Sequence, residues 1–121
     1  MPFAWNLYLE LARVLARQSN AGHLQEAADR SAVSRAYYAV FCLCRNYAER
    51  HLSFQRSNLA AEHAQLRKHL SKGNKEKVAS DLNKLRQWRN QCDYDDNITK
   101  LREMVKISID LAERVISQIQ Q

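Results

Sequence analysis

Hydrophobic residues recur at intervals of three and four along most of the chain, which is the period of an amphipathic α-helix. The pattern is clearest near the C-terminal end. The residues that follow it there are Ile98, Leu101, Val105, Ser108, Ala112, Val115 and Ile119. Alternating three- and four-residue steps over this length predict one long helix with a coiled-coil-like apolar seam.

The same pattern predicts five helices in all. Their expected bounds are Pro2–Gln18, Leu24–His51, Asn58–Leu70, Lys75–Asp93 and Asn97–Ile119. The chain has only two glycines and one proline, so few turns are expected, and Gly73 is predicted to form a left-handed cap between the third and fourth helices. Short links between long amphipathic helices predict an all-α, up-and-down bundle that forms a single domain over residues 1–121.

Each helix has a face that we expect to be buried. On the first helix these positions are Phe3, Leu7, Leu11, Val14 and Leu15. On the third they are Leu59, Leu66 and Leu70. The middle of the second helix, AYYAVFCLC, is apolar nearly all round, which predicts a central helix or a subunit interface. Asp95, Asp96 or Asn97 is expected to cap the start of the fifth helix.

Composition places the chain among soluble globular proteins. Its 121 residues are 45% hydrophobic and 26% charged, which differs from the composition of a disordered segment. No signal peptide and no stretch of 18 apolar residues is recognisable, so we expect no membrane partner. Three cysteines, an odd number without secretory context, favour a reducing compartment and a cytoplasmic location.

The excess positive charge lies in one segment. The formal net charge is +6, and eight Lys or Arg but only two acids occur between Arg67 and Arg89. A local basic patch of this kind suits an anionic partner such as nucleic acid or nucleotide phosphate. A solvated helix face would give the same pattern, so both interpretations stay open.

Arg89 occupies a position where the fourth helix should carry a core residue. The apolar positions of that helix are Val78, Leu82, Leu85 and Cys92, and Arg89 fills the gap in their spacing. Because a guanidinium stays charged, it must be paired or hydrated there. Asp93 lies one turn further on, and Tyr38 is a polar residue within the apolar middle of the second helix. These groups predict either a structural network that fixes helix register or a functional site.

Two motifs carry a resemblance to a known family. SRAYYAVF (34–41) on the second helix and RNQCDYD (89–95) at the end of the fourth resemble the HEPN superfamily, and in particular its small stand-alone prokaryotic branch. The likeness extends over the number, order and lengths of the helices. It implies a helical homodimer in which the arginine motifs of two subunits face each other across a cleft. It also implies a toxin–antitoxin or defence-like system, with a nucleotidyltransferase-type antitoxin as partner.

The resemblance also implies roles for individual residues. Many members of this family are metal-independent ribonucleases, in which the arginine stabilises phosphate charge and a histidine transfers a proton. Carried over to this chain, the catalytic group would be Arg89, Asn90 and Tyr94, with Asp93 and Tyr38 orienting Arg89. Phosphate or RNA would also be bound by Arg86, Lys84 and Arg35. No cofactor and no metal ion is implied.

One departure from the family pattern leaves two functions open. No histidine follows Arg89, and Tyr94 stands five positions on, with a phenol that is a poor base at neutral pH. Two functions therefore stay open. The first is a protein that binds RNA or nucleotide and acts as a ribonuclease if the site is active. The second is a catalytically inactive interaction module. A histidine from another helix could enter the cleft, and His63 is the one to examine. The cysteines are expected to be buried apolar groups and not metal ligands.

Overall fold

The structure is a computed structural model that describes residues 2–17 and 22–120. Over these residues the chain is all-helical, with helices α1 (Asn6–Ala16), α2 (Gln25–His51), α3 (Glu62–Lys72), α4 (Glu76–Tyr94) and α5 (Leu101–Ile119). A short 3₁₀ turn at Gly22–Leu24 leads into α2. The prediction of a five-helix bundle is therefore confirmed for the described part of the chain. The expected end of the first helix at Gln18 lies outside the described residues.

Helix α2 is the central element, as its apolar middle predicted. It packs extensively against α1, α5 and α4, while α3 packs mainly against α4. Its residues Val33, Tyr37, Val40 and Cys44 have no accessible surface. The α5 seam is also confirmed, because Val105, Ser108, Ala112 and Val115 are all buried against the other helices. No helix in the described ranges is both long enough and apolar enough to cross a membrane.

The predicted inward face of α1 is wrong at four of its five positions, while the fifth, Leu15, is partly buried against the core. Phe3, Leu7, Leu11 and Val14 are all more than 40% exposed. The helix instead turns Leu9 and Ala12 into the core, and Trp5 and Tyr8 pack at its edge. Helix α1 is thus apolar on two sides, and only one of them meets the bundle.

Three local expectations for turns and caps are also wrong. Gly73 has a φ of −92°, and the left-handed residue of that turn is Asn74, with a φ of 63°. Helix α3 starts at Glu62, so Leu59 lies before it in the link and is exposed. Helix α5 starts at Leu101 after the left-handed Lys100, and no side chain makes a capping hydrogen bond there. A Cβ at Gly73 would lie 2.5 Å from the Leu52 Cδ2 atom, so the Leu52 side chain would have to shift to accommodate another residue there.

Two buried aspartates connect the helices through ion pairs. Asp29 on α2 accepts a hydrogen bond of 2.5 Å from Arg102 on α5, and Asp81 on α4 binds Arg114 on α5 through two contacts of 3.0 Å each. A buried carboxylate needs such a partner because an unpaired charge would be strongly destabilising. Arg30 adds a further link, since its guanidinium donates to the carbonyls of Cys92, Asp95 and Asp96 at the end of α4.

The three cysteines are free thiols in the interior. Cys42, Cys44 and Cys92 are each at most 5% exposed. Burial raises the pKa of Cys44 to about 12 and that of Cys92 to about 11. They pack as small apolar groups, with Cys92 Sγ lying 3.7 Å from Met104 Sδ. Among the described residues, no group of three or more histidines, cysteines or carboxylates is arranged to hold a metal ion.

Candidate phosphate-binding cleft

Arg89 is held in place by the burial of its own helix. Leu82, Leu85 and Cys92 of α4 lie in the core, and this fixes Arg89 at the boundary of the bundle with a side chain that is 16% exposed. The guanidinium lies 5.0 Å from the centre of the Tyr38 ring on α2, within the range of a cation–π contact. The unusual arginine of the apolar stripe is thus neither fully buried nor free in solvent.

Each nitrogen of the Arg89 guanidinium has a polar neighbour. Nε lies 2.8 Å from a carboxylate oxygen of Asp93, Nη1 donates to Asn90 Oδ1 at 2.7 Å, and Nη2 donates to Tyr38 Oη at 2.5 Å. The structure therefore brings together four of the predicted site residues. Because Asp93, Asn90 and Tyr38 each contact a different nitrogen, the orientation of the guanidinium is constrained before any ligand arrives.

An open cleft of about 610 Å³ lies beside Arg89. Its walls are Arg86 and Arg89 from α4, Glu62 and His63 from α3, and residues 57–60 of the link between α2 and α3. One oxygen of Glu62 is occupied, because it accepts a hydrogen bond of 2.6 Å from the backbone N–H of Ser57. The remaining charged groups of the walls are cationic.

Arg86 is the cation of this cleft that has no counter-ion. No carboxylate in the described part of the chain lies within ion-pairing distance of it. Arg67 of α3 is close enough that the two guanidinium groups repel, and together with burial this repulsion lowers the pKa of Arg67. Two arginines that remain close without an acid between them raise the local positive potential, which an anion would relieve.

His63 joins the cleft from α3. Its ring stacks on Phe41 with centroids 4.2 Å apart, and its Nδ1 atom is hydrogen-bonded to the hydroxyl of the buried Tyr37. Burial lowers the pKa of His63, and the positive charges of Arg86 and Arg89 lower it further, while Glu62 acts in the opposite direction. The imidazole is therefore held neutral at pH 7 beside two arginines.

Four of the predicted phosphate or catalytic residues do not line this cleft, and one of them, Asn90, contacts Arg89 instead. Lys84 places its ammonium 5.1 Å from the centre of the Trp88 ring. Arg35 stacks over Tyr8 at 4.8 Å and lines a separate hollow that it shares with Asp93. Tyr94 is 74% exposed at the end of α4, with its ring centre 5.9 Å from the Arg89 guanidinium carbon. Of the predicted cations, only Arg86 and Arg89 line the cleft.

The arrangement can bind an anion without a metal ion. Arg86 and Arg89 supply charge and fork-shaped donors that match phosphate geometry, and the His63 ring adds a further polar group. Sequence reasoning missed the Tyr37–His63 pair and the proximity of Arg67, because both depend on how α3 packs against α2 and α4. The basic segment predicted a positively charged surface, but it did not indicate which of its lysines and arginines lie together in the cleft.

Comparison with known proteins gave no match. No protein-family model matches the chain, and no curated protein and no solved structure was found to be significantly similar to it. The HEPN resemblance therefore depends on the two motifs and on the order of the helices.

Proposed function

We propose that this chain is a HEPN-type helical protein that binds RNA or nucleotide through phosphate in the cleft between α3 and α4. The observation that carries the proposal is the Arg86 guanidinium, which lines the cleft beside Arg89 and His63 and has no carboxylate partner among the described residues. Arg86 is only partly exposed, so its charge is not fully screened by water, and an anionic ligand that pairs with it would stabilise the folded chain.

The dimensions of the cleft suit a ligand of nucleotide size. Its volume of about 610 Å³ lies within the range of small-molecule sites. Arg89 is pre-oriented by Asp93 and Tyr38, so little side-chain entropy would be lost when phosphate binds. Asn90 uses its Oδ1 atom to accept from Arg89. Its amide N–H groups remain donors and could contact a phosphate oxygen.

The HEPN resemblance adds the biological setting. It supports a toxin–antitoxin or defence-like role, with a nucleotidyltransferase-type protein as partner. It also supports metal-independent cleavage of RNA, in which Arg89 and Asn90 would stabilise the charge of the phosphorane and Tyr94 would donate a hydrogen bond.

A homodimer is the expected assembly, and α1 offers a surface for it. Phe3, Leu7, Leu11 and Val14 form an exposed apolar stripe at helical spacing. A second copy of this chain would cover it. We expect Leu7→Glu and Leu11→Glu to convert a dimer to a monomer in light scattering with little change in monomer fold. An unchanged dimer mass would exclude this stripe as the interface.

A second function, that of a catalytically inactive interaction module, is favoured by the contacts of Arg89. Its three nitrogens already have partners within the chain, as in a structural network. In that case Arg89 fixes the packing of α4 on α2, and the partner protein is bound elsewhere.

Binding to a labelled single-stranded RNA, measured by fluorescence anisotropy in EDTA over a series of salt concentrations, tests the proposal. We expect affinity to fall steeply with salt, and Arg86→Gln to weaken binding. Lys106→Gln, which removes one exposed positive charge from α5, is the matched control and should bind as wild type. If all three proteins bind RNA equally and independently of salt, the proposal that RNA binds through phosphate in this cleft is refuted. RNA cleavage that is lost in Arg89→Gln would identify a ribonuclease.

A further inference from the structure

The His63 ring is constrained on two sides. Phe41 stacks against its face, with centroids 4.2 Å apart and an interplanar angle of 16°, and Tyr37 lies beside its edge. Its Nδ1 atom faces the hydroxyl of Tyr37, which is completely buried on α2. The ring nonetheless lines the cleft, so Nε2 is the polar atom that a ligand can reach.

We propose that His63 is a phosphate-binding residue of the cleft, and that the Tyr37 hydroxyl fixes its ring as a neutral donor with the proton on Nε2. The inference rests on the proposed function, since it concerns the same site. It identifies the chemistry of the ligand contact, a neutral N–H group beside two guanidinium groups. It also predicts that this histidine is not the base of a ribonuclease.

The position of the proton follows from the surroundings of Tyr37. Burial raises the pKa of the phenol, which therefore keeps its proton. Its hydrogen-bond partner in the described part of the chain is His63 Nδ1. A buried O–H without an acceptor would be destabilising. The phenol therefore donates to Nδ1, and the neutral imidazole carries its hydrogen on Nε2.

Burial keeps His63 neutral, and the charged groups around it act in the same direction on balance. Arg86 and Arg89 face it from α4, Arg67 and Glu62 flank it on α3, and on α2 the facing group is the uncharged Tyr37. Three cations outweigh one carboxylate. A bound phosphate changes this balance, because its negative charge favours the imidazolium form. Ligand binding should therefore be linked to proton uptake by His63, and affinity should rise as pH falls below the ordinary histidine range.

Protonation also requires Tyr37 to turn. In the imidazolium form both ring nitrogens carry hydrogen, so the phenol must accept from Nδ1 and no longer donate to it. In the neutral form Nε2 already carries a proton and has no lone pair to accept one from a ribose 2′-hydroxyl. His63 can therefore hold a phosphate but cannot initiate cleavage by proton abstraction.

The test uses a short oligouridylate in EDTA, because neither its phosphodiesters nor its bases titrate between about pH 5.5 and about pH 8. We expect wild-type affinity to be higher at the lower pH. His63→Gln should bind within about twofold of wild type at about pH 8, since an amide N–H replaces Nε2–H, but should lose most of the pH-dependent increase. His63→Ala should bind about five- to tenfold more weakly at both values. His69→Gln, on the same helix but outside the cleft, is the control and should behave as wild type.

Inorganic phosphate and adenosine monophosphate, tested at about pH 8, distinguish the source of the phosphate. Tighter binding of either than of oligouridylate would assign the site to a terminal phosphate, and the reverse would assign it to the RNA backbone. Either result supports the proposal only if the affinity for that ligand falls in His63→Ala. NMR of wild-type protein with ¹⁵N-labelled histidine reads the tautomer directly, so the inference does not depend on the folding of any variant. Hydrogen on Nε2 is expected, and hydrogen on Nδ1 would overturn the assignment.

The remaining outcomes separate this inference from the proposed function. If all His63 variants bind as wild type while Arg86→Gln loses binding, the role of His63 is refuted and the phosphate cleft stands. If His63→Gln abolishes RNA cleavage and keeps affinity, His63 is a base and the neutral-donor role is refuted. If none of the three phosphate probes binds to the wild-type protein, both the proposed function and the role of His63 fail.

Discussion

Arg86 and Arg89 lie three residues apart on one helix and line the same cleft. Their contacts within the chain differ, so substituting each of them should have different effects on stability and on ligand binding. Arg89 has polar partners at all three nitrogens, whereas Arg86 has no ion pair in the described part of the chain. We therefore expect Arg89→Gln to lower both stability and ligand binding, and Arg86→Gln to lower ligand binding alone. Both substitutions remove one positive charge and keep part of the aliphatic stem.

The size of each effect can be worked from these contacts. Arg89→Gln removes an ion pair with Asp93, which is 29% exposed and can rehydrate, and a hydrogen bond to Tyr38. Hydrogen bonds to charged groups contribute about 1.5–3 kcal/mol, so with partial exposure we expect a loss of about 2 kcal/mol. At about 4 °C per kcal/mol, the melting temperature should fall by about 8 °C. Arg86→Gln should change stability by less than about 0.5 kcal/mol, because no pairing is lost.

The assay combines thermal unfolding with RNA binding at several salt concentrations. Removing one phosphate contact should reduce the slope of log K against log salt by about 0.7 for a single strand. We expect this reduction in Arg86→Gln at an unchanged melting temperature. A melting temperature that falls equally in both variants, with the salt slope of Arg86→Gln unaltered, would refute the assignment of Arg86 to the ligand.

Further predictions concern stability and pH. Leu66→Ala, in the core, should lower the free energy of unfolding by about 2–5 kcal/mol, whereas Leu59→Ala, which is 67% exposed, should change it by less than about 0.5 kcal/mol in urea denaturation. Because the pKa of His63 is lower in the folded chain than in the unfolded one, the unfolded state binds the proton first as pH falls. Stability should be complete above the ordinary histidine pKa and decline below it, and His63→Gln should flatten this part of the profile. Lys100→Gly should stabilise the protein by about 0.5–1 kcal/mol, since a φ of 56° is strained for lysine, and a loss of stability would contradict this.

The extent to which the sequence predicted the fold depended on how many faces of each helix are apolar. Helix α5 has one apolar seam, so its spacing identified the buried residues correctly. Helix α1 carries apolar residues on two sides, and its pattern alone does not say which side meets the bundle. The prediction placed the side with Leu7 and Leu11 in the core. In the structure Leu9 and Ala12 are in the core instead, and the aromatic residues Trp5 and Tyr8 pack at its edge.

The candidate site divides in the same way. The Arg89–Asp93 contact spans four residues of one helix, so spacing was enough to find it. The contact with Tyr38 spans 51 residues and was suggested only by the presence of polar groups in an apolar helix. The His63–Tyr37 contact joins α3 to α2, and no periodicity relates the two positions. Gly73 shows the same limit in a turn, where the glycine lies close to the Leu52 side chain and does not adopt the predicted left-handed backbone.

The buried thiols allow the rates of local and global unfolding of this protein to be measured. The thiolate is the nucleophile that attacks a thiol-labelling reagent, and burial both shields these sulfur atoms and disfavours the charged form. In the native state, reaction must therefore wait for a structural fluctuation. Cys44 is completely buried on α2 and should react only when the whole bundle unfolds. Cys92 lies near the end of α4 and should report the release of that end from Arg30. Labelling rates at the two sites would thus separate global unfolding from the local detachment of the helix end that carries Asp93 and Tyr94.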